Sequence, residues 1–364
     1  MSVLRRIGLA AAALAIAGCS TVQATATPGP VGTFSATGSM ASSFLGRPTA
    51  TLLDDGRVLI VGDAGIGGAA QSAELYDPKT ATFSRTGPWV EGDHDQTATR
   101  LTDGRVLIAG GCADATACAR SAWLYDPKAG TFGPTGAMTT VRADHTATLL
   151  RDGSVLIIGG QGPASQSASA EVFDPKTGTF KATGSLKVGR LWGTATALQD
   201  GRVLVAGGSR DSSAEIFDPA AGTFSATGSM TASSRLSATA TLLLDGRVLV
   251  VGGVDSYSTA LLSAEVYDPK TGQFSQTGSM KSYHGNGTAT LLPDGRVLIA
   301  GGDNPAFLEA EVYDPQAGAF GSAGSMTQSR EFHSATLLSD GRVLLAGGQD
   351  PRGPGVATAE LFKP

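Results

Sequence analysis

The chain has 364 residues, a formal net charge of −5, 16% charged and 6% aromatic residues, and 50 glycines. A net negative chain offers no electrostatic basis for nucleic-acid binding, which wants a basic face. Abundant glycine with few aromatics suits a protein of many turns and small-residue sheet packing, and no segment keeps helical periodicity beyond residue 19.

In chain order, Met1 to Cys19 reads as an export signal: Arg5 and Arg6, an apolar run from Ile7 to Ile16, then Ile16-Ala17-Gly18-Cys19. The run is shorter than the roughly 20 apolar residues an ordinary spanning helix needs. Its last tetrapeptide resembles the bacterial lipobox, which implies cleavage before Cys19 and a lipid on its thiol. Residues 19–31 then form the anchor and a flexible tether rich in Thr, Ala, Gly and Pro.

From residue 32 onward one unit recurs. Short apolar runs flank Asp55-Gly56, Asp103-Gly104, Asp152-Gly153, Asp200-Gly201, Asp245-Gly246, Asp294-Gly295 and Asp340-Gly341. Successive glycines of this set are about 45 to 49 residues apart, a period that marks propeller or solenoid units. The flanking runs favour strands. Asp-Gly between them signals a hairpin, because Gly accepts the positive φ a turn of this hand requires. A second block, Ser-Ala-Glu-hydrophobic-Tyr/Phe-Asp-Pro, supplies strand c, and Asp-Pro ends it because proline donates nothing to a ladder. Strand d opens on Phe83, Phe132, Phe180, Phe224, Phe274 and Phe320. Each repeat is a four-stranded antiparallel meander.

Gly32 to Met40 is a strand d with no a, b or c before it, and it matches Gly222 to Met230 residue for residue. Ala359 to Pro364 is a strand c with nothing after it. Six complete copies and these two fragments predict an all-β, seven-bladed propeller over 32–364, its last blade made from both termini. Closing the ring this way leaves no terminal blade face unpaired.

The Gly-Gly after strand b, the Tyr-Asp-Pro after strand c and Met-x-x-x-Arg before the next strand a resemble Kelch repeats of the galactose oxidase and Kelch propeller superfamily. The resemblance covers about residues 32–364. Blade 1 departs from it with Gly62-Asp63 for Gly-Gly and with Ala81 in its c-d turn.

Beyond Cys19 the only cysteines are Cys112 and Cys118, in the b-c loop of blade 2. An exported protein meets oxidising conditions, so a disulfide is expected there.

In a meander the a-b and c-d turns share one face, and the b-c loops and d-a connections share the other. The second face is the more diverse and is where binding is expected. The d-a connections carry Arg142, Arg190, Arg235 and Arg330 at one repeat position and His145 and His333 three residues later; His94 and His284 lie in such connections too. These residues read either as a convergent basic site at the channel mouth or as Kelch consensus residues that stitch blades together. Trp192 stands where other copies have Asp144 or Phe332, and its ring suits stacking on a sugar or a peptide side chain. Tyr257 and Tyr283 are the only tyrosines outside strand c. Trp89 and Trp123 read as packing residues.

The resemblance to galactose oxidase implies a copper held by two Tyr and two His, one Tyr joined to a Cys. Blades 5 to 7 have no Cys for that link, so no metal, cofactor or catalytic residue is assigned, and an enzyme is not the expected reading. The expected function is that of a monomeric, lipid-anchored binding module for a protein or glycan, exposed in the bacterial envelope on the periplasmic side or the cell surface. It meets the membrane through its anchor alone and binds no nucleic acid. The alternative is a carbohydrate-active enzyme, resembling a sialic-acid mutarotase or, less so, a copper oxidase.

Overall fold

The computed structural model describes residues 31–44, 47–62, 72–87, 94–112, 118–162, 165–303, 308–353 and 355–364. The segment expected to be an export signal, Cys19 and Trp89 lie outside these residues. The chain builds seven four-stranded antiparallel sheets. In blade 4, strand a is Thr194–Ala197, b is Val203–Ala206, c is Ala214–Asp218 and d is Thr223–Ala226. Blade 7 takes a from Ser334–Leu337, b from Val343–Ala346, c from Val356–Lys363 and d from Thr33–Phe44. Phe34 pairs with Phe362 across that closing seam, their ring centroids 4.9 Å apart. The same c-d aromatic pair recurs in the other blades, as Phe217 with Phe224 and Tyr267 with Phe274.

Burial gives each strand its radial place. Every strand a touches the strands a of both neighbouring blades, blade 1 meeting blade 7 like any other pair, so the seven strands a form the inner wall of a closed ring. Strands b are buried throughout, whereas strands d such as Thr223–Ala226 face solvent. Strand b's alternation explains its burial. Leu204 and Ala206 pack toward blade 5 against Val248 and Val250, while Val203 and Val205 pack toward blade 3 against Leu156 and Ile158. The core is therefore seven layers, one between each pair of blades. The seam between blades 7 and 1 is packed like the others, with Leu344, Ala346 and Leu361 against Val58, Ile60 and Tyr76. Where a Met precedes the d-a connection it fills the same space, for example Met40, Met230 and Met326.

The Asp-Gly turns are one residue longer than a two-residue hairpin. The Gly56 amide donates to Leu53 and the Leu53 amide donates to Arg57, so Asp54, Asp55 and Gly56 span the turn. Only Gly56 takes a left-handed φ, 87°, as in a turn followed by a glycine bulge. The Asp55 carboxylate accepts the Arg57 amide at 3.0 Å and pairs with its guanidinium, which fixes the aspartate without a left-handed φ. Three of these arginines also reach the next blade: Arg105 donates to Pro175, Arg247 to Pro315 and Arg342 to Pro78.

A second inter-blade bond follows strand d. The amides of Gly87, Gly136, Gly184, Gly228 and Gly278 each donate to the c-d turn of the next blade, Gly136 to Gly178 at 2.8 Å. The preceding threonines add a hydroxyl bond, Thr227 to the Tyr267 hydroxyl at 2.7 Å. A disulfide joins Cys112 and Cys118 in the b-c loop of blade 2.

Candidate functional site at the channel mouth

Where the chain turns out of each d-a connection into strand a, one residue per blade rims the channel: Arg47, Asp95, Asp144, Trp192, Ser237, Asn286 and Phe332. All but Arg47 have φ between 53° and 62°. That left-handed conformation costs a non-glycine residue free energy, and here the surrounding structure holds it. Neighbouring rim backbones are bonded to one another: Asp144 donates to Asp95, Ser237 to Trp192 and Phe332 to Asn286, at 2.9 to 3.1 Å. Six of the seven, all but Asp95, line a polar cavity of about 230 Å³, together with Pro48, His145, Gly193 and His333.

Arg47 lies across this mouth. Its Nη1 donates to Asp144 Oδ1 at 3.1 Å and its Nε stands 3.9 Å from Asp95 Oδ1. Its guanidinium carbon is 4.7 Å from the centre of the Phe332 ring and 5.8 Å from that of Trp192, within cation–π range. Asp144 and Asp95 share a hydrogen bond, and burial first, then the Asp95 carboxylate, push the Asp144 carboxyl up to about 6 despite the pull of Arg47. Asp95 and Asp144 form a paired carboxylate that the sequence reading did not find. They occupy the same position in consecutive repeats, which was the available signal. Spacing along the chain does not show that the two rim positions touch.

The residues singled out from the sequence divide into two groups. His145, Trp192 and His333 line the mouth, and Trp192 is 37% exposed. His145 Nε2 bonds Thr97 Oγ1 at 2.9 Å and His333 Nε2 bonds Thr288 Oγ1 at 3.1 Å. Burial, with a smaller push from Arg142 and Arg330 respectively, lowers both imidazoles to about 3, so both are neutral. Arg142, Arg190, Arg235 and Arg330 do not reach the mouth; they are at most 2% exposed. Each pairs with the strand c glutamate of the blade it leads into: Glu171, Glu215, Glu265 and Glu360. Arg235 also donates to the Gly252 and Ser263 carbonyls. Glu265 accepts the Thr231 and Ala232 amides. Burial raises its carboxyl, but those bonds and the Arg235 charge hold it below the usual range.

His284 takes the arginine's place in blade 6. Its Nδ1 lies 2.7 Å from the Gly301 carbonyl and its Nε2 3.3 Å from Glu311. The adjacent Tyr283 points the other way, over Gly285, its hydroxyl pushed up to about 12 by burial and then by Asp303. Tyr257 is 86% exposed at the tip of a b-c loop that Asp255 holds through the Tyr257 and Thr259 amides.

Two comparisons with known proteins bear on this arrangement. A Kelch motif model matches residues 235–281. The chain is thus a seven-bladed propeller that carries a Kelch motif. The propeller is similar to a fungal alcohol oxidase of the AA5 family in complex with copper, at a TM-score of 0.76 and 18% identity, covering 92% of this chain and 76% of that one. At that identity the likeness concerns the fold. No curated protein sequence matches the chain. The residue types for copper do not fit as placed: His284 is committed to Gly301 and Glu311, and His333 to Thr288. Among the described residues no three His, Cys, Asp or Glu side chains are arranged to hold a metal.

Proposed function

We propose that the protein is a binding module of the bacterial envelope, anchored through Cys19, that takes a protein side chain or a sugar ring into the channel mouth. The observation that carries this reading is the convergence of Trp192, Phe332, Arg47, Asp144 and Asn286 from five blades on one small cavity. An aromatic face beside planar hydrogen-bonding groups suits a small ring or a single side chain. A volume of about 230 Å³ lies below the range usual for larger small-molecule ligands. The partly exposed Trp192 ring is the contact to remove. Trp192→Ala is expected to weaken binding at least tenfold, about 1.4 kcal/mol, in a glycan array or pull-down, with little change in unfolding midpoint. Unchanged binding contradicts the reading.

One observation favours a second reading, a carbohydrate-active enzyme that moves a proton, as a mutarotase does. An Asp144 carboxyl raised to about 6 beside Asp95 is suited to giving and taking a proton near neutral pH. Faster anomerisation of a sugar by the protein, lost in Asp144→Asn, would favour this second reading.

A further inference from the structure

Arg47 makes the channel mouth look like a site already filled by part of its own chain. Two carboxylates and two aromatic rings from four blades surround one guanidinium, an arrangement that recognises an organic cation wherever it comes from. Arg47 is lightly held compared with the buried arginines. Its side chain is 32% exposed and, among the described residues, makes one hydrogen bond, to Asp144. The wholly buried Arg235 donates to Glu265, Gly252 and Ser263. Asp95 stands 3.9 Å from the Arg47 guanidinium, beyond hydrogen-bond length, so its hold on Arg47 is loose. The carboxylates outnumber the guanidinium here; the other basic group at hand is His94, whose Nε2 lies 3.6 Å from Asp95.

Resting on the reading of the mouth as a binding site, we infer that its ligand is an arginine side chain of a partner protein, and that Arg47 is an internal competitor which the incoming guanidinium displaces. The ligand then stacks between Phe332 and Trp192 and bridges Asp95 and Asp144, while Arg47 swings out to solvent. Pro48 follows Arg47 directly and confines its backbone to extended conformations, so the exchange is made by the side chain.

The test titrates the full chain, purified in detergent, with N-acetyl-arginine amide and its neutral counterpart N-acetyl-citrulline amide. Arg47→Ala is expected to bind the arginine probe about tenfold or more tighter than the unaltered chain. It should also prefer that probe over citrulline by a similar factor, and Asp144→Asn added to Arg47→Ala should remove the preference. The unaltered chain gives a second measurement: the arginine probe quenches tryptophan fluorescence saturably, citrulline does not, and the response is missing in Trp192→Phe. Equal binding of the two probes, or no gain from removing Arg47, overturns the inference. A neutral sugar bound with Trp192 dependence and no arginine preference overturns it while leaving the binding site standing. Absence of any Trp192-dependent ligand overturns both.

Discussion

A guanidinium taken out of water must find its partners inside the protein, and Arg235 finds them in Glu265, Gly252 and Ser263. Truncating it strands a buried carboxylate. Arg235→Ala is expected to cost about 3–5 kcal/mol, whereas Arg47→Ala, partly exposed and held by one bond, should cost about 1 kcal/mol or less. Urea unfolding of the two variants checks the contrast, and similar costs would place Arg47 among the structural arginines. The histidines set a pH response. His145 and His333 titrate near 3 in the fold and near 6.5 when unfolded. Below pH 6.5 the unfolded chain takes up protons that the fold refuses, so their stabilisation is lost as pH falls from about 6.5 toward 3. At pH 5 that is about 2 kcal/mol for each. Asp144, raised to about 6, opposes this, because its penalty is present above 6 and fades as pH falls toward 3.8. His145→Gln should flatten the fall in thermal midpoint between pH 7 and 4.5; an unchanged slope would mean that His145 already titrates normally. The repeat position of these arginines and histidines was plain in the sequence, but the direction of the side chains was not. A usable signal lay in blade 2, where Asp93 replaces the arginine and Trp123 the glutamate together.

Among elements, the strands were legible because short apolar runs and Asp-Gly or Asp-Pro turns repeat seven or six times, and chance lapses in one copy are corrected by the rest. The bonds between blades were not legible, since they join residues far apart in the chain, such as Gly136 with Gly178 and Arg342 with Pro78, with no distinctive chemistry. Gly136 is the clearest case. A Cβ there overlaps the Gly178 carbonyl oxygen that its own amide bonds, and the neighbouring atoms are backbone. Gly136→Ala is therefore expected to cost about 1–3 kcal/mol, read from chemical unfolding, although Gly136 sits in an ordinary-looking loop. A neutral substitution would show that the seam between blades 2 and 3 yields easily. The three-residue a-b turn was likewise hidden: Asp-Gly points to a two-residue hairpin, but the residue before it, Asp54 in blade 1 and Thr102 in blade 2, belongs to the loop as well.

For the whole molecule, the candidate site exists only because the ring closes. Arg47 comes from blade 1, Asp95 and Asp144 from blades 2 and 3, Trp192 from blade 4 and Phe332 from blade 7, so opening the seam disperses the rim without touching any of its residues. Trp192 was legible as a departure from the repeat; Arg47, at a weakly matched start of blade 1, was not. The closing seam is made by Phe34 against Phe362 and by Met40 in the layer between blades 7 and 1. The most direct measurement is therefore thermal unfolding, with probe binding followed by Trp192 fluorescence, in a chain lacking Gly32 to Met40. The closed ring predicts a midpoint lowered by about 10 °C or more and loss of binding, with both recovered on adding a peptide of residues 32–44. An unaltered midpoint and unaltered binding would contradict ring closure and, with it, the site.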